Sequence, residues 1–159
     1  MEERAPSGRV RDPIAKRMGW LITLAPVATV IGLVAAPQVV FVVDLVCASW
    51  LPPPLLHPVR HVCYEVSLWG SGLAVWLAAR RLGWLSGPFF AAALVASPVL
   101  VESVAMLGMG RVSAGLATWI GLTTRLLIGA AAVSVAILSA RSPIPKARET
   151  DGLNHRGAL

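Results

Sequence analysis

His57, His61 and Glu65 follow one another at intervals of four residues, a spacing that stacks them on one face of a helix. A His-x-x-x-His pair on a helix can hold a transition metal, and Glu65 or Asp44 could add a carboxylate ligand. The signal is thin, because the only other histidine, His155, lies in the C-terminal segment. The simpler reading is a pair of interfacial histidines hydrogen-bonded to lipid headgroups or loop carbonyls. Cys47 and Cys63 flank a proline-rich stretch and could close a disulfide in an oxidising compartment. The alternative is two unpaired thiols buried as small apolar side chains. Their spacing is not Cys-x-x-Cys, which argues against thiol–disulfide exchange as an activity.

A second constellation is more demanding physically. Glu65, Glu102 and Arg125 each interrupt a long run of apolar and small residues. In hydrocarbon an ionised side chain costs several kcal/mol unless it is paired or hydrated, so each of these charges needs an answer from elsewhere in the chain.

The elements that must position these groups follow from composition. Of the 159 residues 56% are hydrophobic and only 14% charged, and the mean hydropathy is +0.71, far from a soluble globule. A bilayer core of about 30 Å takes roughly 20 apolar residues per helical crossing. Four runs qualify, about residues 18–43, 58–82, 86–108 and 112–140, leaving no stretch for a separate soluble domain. They are continuously apolar, without the alternation of a transmembrane barrel. The reading is an all-α, polytopic four-transmembrane-helix bundle.

The formal charge of +6 invites a nucleic-acid interpretation, but its distribution points to a membrane. Arg4, Arg9, Arg11, Lys16 and Arg17 precede the first run, Arg80 and Arg81 lie between the second and third, and Arg141, Lys146, Arg148 and Arg156 follow the fourth. Only Arg60 and Arg111 fall on the other side. The positive-inside rule then puts both termini in the cytoplasm.

In chain order, residues 1–17 form a basic, polar N-terminal tail. The first run follows Lys16 and Arg17 as a signal peptide would, but it is too long for one, and Pro37 follows its small-residue stretch directly, so an uncleaved helix is expected. Pro26 should bend it. Residues 44–63 are read as an outer, interfacial loop in which Pro52, Pro53 and Pro54 favour an extended polyproline segment, with Trp50 and Tyr64 at the interface. Helix two is expected to start at Pro58. Along it Gly70, Ala74 and Ala78 recur every fourth residue, a small-residue stripe that lets another helix approach closely. Trp84 suits the inner interface, and Pro98 should bend the third helix. The short turn from Gly108 to Arg111 makes helices three and four antiparallel neighbours. Residues 141–159 have no apolar periodicity and are expected to be a cytoplasmic C-terminal tail, disordered or lying on the surface.

Depth can be counted at about 1.5 Å per residue from helix ends near Ala79, Ser86 and Ala140. Glu65 then lies about 21 Å deep, Glu102 about 24 Å and Arg125 about 22 Å. Three charges on three helices share one layer, so Arg125 should bridge one or both glutamates. Gly121 and Gly129, one turn to either side, should open room beside it. Two carboxyls against one guanidinium leave an excess negative charge, which a proton on one carboxyl, a cation or another positive group must balance. The layer is either a staple fixing which helix faces which, or a proton- or solute-handling site.

Phosphate-binding loops, His-Glu-x-x-His and Gly-x-Ser-x-Gly are missing from the sequence, and the two halves show no repeat. Three function classes remain. One is a small non-enzymatic accessory or scaffold subunit of a larger membrane assembly, partnered by lipid and by other membrane chains or copies of itself. Another is an oligomeric proton-linked transporter or channel using the charge layer. The third is a membrane enzyme or metal protein with its transition metal at the outer-face His57, His61, Glu65 and Asp44 site. The richness in Ala, Val, Leu, Gly and Arg suits a high-GC bacterium, hence a bacterial cytoplasmic (inner) membrane.

Overall fold

A computed structural model describes residues 13–109 and 119–142, together with the backbone of 116–118. The expectations for the segment before Pro13, for the turn through Gly110 and Arg111 and for the tail beyond Ser142 lie outside these residues. Four helices account for the described chain: α1 (Pro13–Cys47), α2 (Pro53–Arg81), α3 (Pro88–Gly108) and α4 (Leu116–Arg141). All four are long and apolar enough to cross a membrane.

Every helix start and the end of α1 differ by a few residues from the sequence reading, and the two largest shifts are at prolines. Helix α1 begins at Pro13 instead of residue 18, and of Pro52 to Pro54 only Pro52 is extended. Proline lacks an N–H, but the first-turn N–H groups of a helix have no intrahelical acceptor, so little is lost there. Pro53 and Pro54 therefore occupy the first turn of α2, and the amides of Leu55 and Leu56 reach back to the Pro52 carbonyl at 2.9 and 3.1 Å. The connection between α1 and α2 shrinks to residues 48–52, closed by the Trp50 and Leu51 amides donating to the Cys47 carbonyl. Pro26 and Pro37 are accommodated inside α1, and Pro98 inside α3. At 35 residues, α1 is about 52 Å long, more than a bilayer core of about 30 Å requires.

Helices α2 and α3 form the centre, with α1 packed on both from one side and α4 on both from the other. Among the described residues α1 and α4 do not touch. Their outward faces carry large apolar side chains, among them Ile22, Val34, Phe41, Leu126 and Leu138. Such exposure is ordinary against lipid.

Close helix approach fixes the central pair. A Cβ on Gly72 would lie 2.6 Å from the Val95 carbonyl oxygen and 2.8 Å from the Val95 Cα, so α2 and α3 meet there backbone to backbone. Gly32 of α1 instead makes room for side chains, those of Ser71, Pro98 and Leu68. The stripe expected from Gly70, Ala74 and Ala78 is on the other side of α2: Ala74 and Ala78 are exposed, and nothing lies within 4 Å of a Cβ on Gly70. Spacing identifies a stripe but not the face it occupies.

The interior is divided along its length. Trp76, Ala79, Leu85, Phe90, Ala91, Leu94, Val95, Ala28 and Ala136 form an apolar core in the half nearer the α2–α3 connection. Trp20 stacks on Trp84 at that end, with centroids 4.5 Å apart and planes 3° from parallel. Lys16, Arg17, Arg80, Arg81 and Arg141 gather at the same end, where Arg80 Nη2 donates to the Ser142 carbonyl.

Candidate functional site: an intramembrane charge cluster

The other half of the interior is polar. Helices α2 and α4 run parallel with a constant offset of 60 residues. His61 faces Gly121, Glu65 faces Arg125 and Trp69 faces Gly129. Helix α3 crosses antiparallel to both and brings Glu102 and Ser103 to the same level.

Arg125 is the hub. Its Nε and Nη2 donate to Glu65 Oε1 at 2.8 and 2.6 Å, and its Nη1 donates to Ser103 Oγ at 3.0 Å. Its Nη2 also lies 2.7 Å from Glu102 Oε2, close enough for an ion pair although the N–H does not point at that oxygen. The second Glu102 oxygen, Oε1, accepts from the Tyr64 hydroxyl at 3.2 Å. Thus one guanidinium ties three helices, using the planar fork that lysine lacks. Glu65 is 0% exposed, so its charge has no recourse to solvent.

The cluster is not fully satisfied. Glu65 Oε2, Glu102 Oε2 and Trp69 Nε1 are buried without a hydrogen-bond partner. Unsatisfied buried polar atoms are rare in native proteins and each calls for a reason.

The two glycines flanking Arg125 make room for side chains of α2. A Cβ on Gly121 would come 3.2 Å from His61 Nε2, and one on Gly129 would run into the indole of Trp69. Gly129→Val is therefore expected to expel the Trp69 ring from the α2–α4 interface. The expected cost is about 1–3 kcal/mol of stability, checked by thermal unfolding together with a shift in tryptophan emission.

The outer-face metal site expected from His57, His61, Glu65 and Asp44 does not assemble. Among the described residues no three His, Cys, Asp or Glu side chains converge as a metal would require. His57 is exposed, His61 Nε2 lies 3.4 Å from the Gly121 carbonyl, Glu65 is held by Arg125, and Arg60 Nε donates to Asp44 Oδ1. The Arg60–Asp44 pair is partly exposed and contributes about 0–1 kcal/mol, but it occupies the carboxylate. Cys47 and Cys63 are both free and half-buried, with no bond between them.

Tyr64 and Ser103 belong to the site although the sequence reading passed over them. Tyr64 had suited a membrane interface, whereas it reaches inward to Glu102. The available signal was adjacency, since each directly neighbours an intramembrane glutamate. No protein-family model, curated protein or solved structure matches the chain, and the reading of the cluster rests on its own geometry.

Proposed function

We propose that this chain is a small non-enzymatic subunit that docks onto other membrane-spanning chains, with the Glu65–Arg125–Glu102 cluster holding its own helices in place. The observation that carries this is the outward stripe of α2. Among the described residues Gly70, Ala74 and Ala78 make no close helix contact, yet small residues at that spacing are what close helix approach requires. Val62 and Val66 extend the same face toward the α1–α2 end. The partner class is another transmembrane helix, from a different chain or a second copy. The gathering of Lys16, Arg17, Arg80, Arg81 and Arg141 at one end supports an orientation with both termini in the cytoplasm, and the Ala-, Val-, Leu-, Gly- and Arg-rich composition is what suits a bacterial inner membrane.

Gentle detergent extraction followed by native mass determination tests this. The expected result is a defined assembly from which Ala74→Phe releases a folded single chain. Recovery of the wild-type protein as a lone monomer overturns it. One observation favours a second reading, proton-linked transport in an oligomer: among the described residues Glu65 Oε2 and Glu102 Oε2 are buried and accept no hydrogen bond, the latter having only its ion pair with Arg125. Proton-coupled flux in liposomes separates the two.

A further inference from the structure

We propose that Glu65 and Glu102 together hold one exchangeable proton, delivered from the α1–α2 end of the bundle by way of His61. This stands whether or not the chain docks onto a partner.

The first support is a count of charges and donors. Arg125 supplies one positive charge to two carboxyls: its Nε and Nη2 donate to Glu65 Oε1, its Nη1 donates to Ser103, and Nη2 lies 2.7 Å from Glu102 Oε2. Tyr64 adds one neutral donor to Glu102 Oε1. One oxygen of each carboxyl remains buried without a hydrogen bond, and Glu65 is wholly enclosed. Two full negative charges here would leave one uncompensated in a low-dielectric site, whereas a single shared proton makes the cluster neutral and supplies a missing donor. The proton belongs to the pair and not to either residue, as for any strongly coupled carboxyls.

The second support is the surroundings of the pair. At this level helix α4 contributes Arg125, its other charge Arg141 lying at the far end; α3 contributes Glu102, and α1 has no titratable side chain between Arg17 and Asp44. Within α2 the neighbouring titratable groups are Tyr64, the half-buried Cys63 thiol, His61 and Arg60, which is paired with Asp44. His61 is half-buried and one turn from Glu65 on the face toward α4, where Cβ atoms lie about 5–6 Å apart. One turn further out, His57 is exposed. In the opposite direction the α2–α4 interface closes on the Trp69 ring over Gly129, then on Trp76 and Ala136 in the apolar core. His61 is therefore the imidazole that leads from the pair toward the α1–α2 end. The step moves a proton alone: the imidazole takes one at one ring nitrogen, releases one from the other to a carboxylate oxygen of the pair, and returns to neutral.

Infrared spectroscopy of the full chain in lipid tests both parts. The expected wild-type spectrum at neutral pH contains a protonated-carboxyl C=O band equivalent to one group per chain. Glu65→Gln and Glu102→Gln should each remove it. On transfer to D2O the band should shift as its proton exchanges, and His61→Phe should slow that shift by about tenfold or more. His61→Gln, polar but unable to relay at this pH, serves if the phenylalanine variant misfolds. Absence of the band in the wild type, or its survival in both glutamine variants, overturns the shared proton. Its loss on adding sodium at constant pH also overturns it, in favour of a cation site. Exchange at the wild-type rate in a folded His61 variant overturns the route.

Discussion

Gly72→Val is expected to separate α2 from α3 and leave a chain that no longer purifies as a single folded species, while Gly70→Val leaves the chain's own fold and melting intact and alters only the outward docking face. Two residues apart on one helix, these glycines have opposite surroundings. The added Cβ at Gly72 meets Val95 O and Cα and Leu94 O, all within 3 Å. Backbone atoms in the middle of a proline-bearing helix cannot step aside as a side-chain tip can. Overpacking of this kind costs about 3 kcal/mol or more, and in lipid it removes the close packing on which helix association depends. At Gly70 the same Cβ meets nothing within 4 Å. Thermal unfolding by circular dichroism, with size-exclusion profiles, checks the pair. Equal behaviour of the two variants sinks this account of the helix interface.

Arg125→Leu is expected to destabilise the bundle by about 3–5 kcal/mol, because it leaves two buried glutamates without their cation. The cost arises from the stranded acids more than from the lost bonds. Replacing Glu65, Glu102 and Arg125 together with leucine should recover much of the loss, since no charge is then left without a partner. Full stability and expression of Arg125→Leu alone would show that the cluster does not hold the helices.

Why the four helices were legible from the sequence is plain: a bilayer's thickness imposes a run length, and 56% hydrophobic residues leave few places for the breaks. The charge layer was legible for the same reason, since counting rises from three helix ends brings Glu65, Glu102 and Arg125 to one depth. The contacts of Arg125 with both glutamates follow that count closely. Rotation about each helix axis was not legible. Gly70, Ala74 and Ala78 and the buried set Leu68, Gly72, Trp76 and Ala79 share the same helical spacing, and composition does not say which faces protein when lipid is equally apolar. Local proline chemistry misled too. Pro53 and Pro54 read as extended chain, but a helix tolerates them in its first turn. For His57 and His61 the shared face was an inference from spacing alone. The helix gives the two very different surroundings, one exposed and one against Gly121.

The parallel alignment of α2 with α4 has a bearing on how the protein is made. Glu65 and Glu102 leave the ribosome before Arg125, so both acids enter the bilayer ahead of the cation that α4 carries. An arginine at mid-helix disfavours insertion by about 2.5–3.5 kcal/mol on its own, yet here α4 arrives beside a groove of α2 and α3 already bearing its counter-charges. The last helix is thus drawn in by the earlier ones. Until α4 arrives the two acids lack their cation, so a chain truncated before α4 is expected to be far less stable than one that carries it.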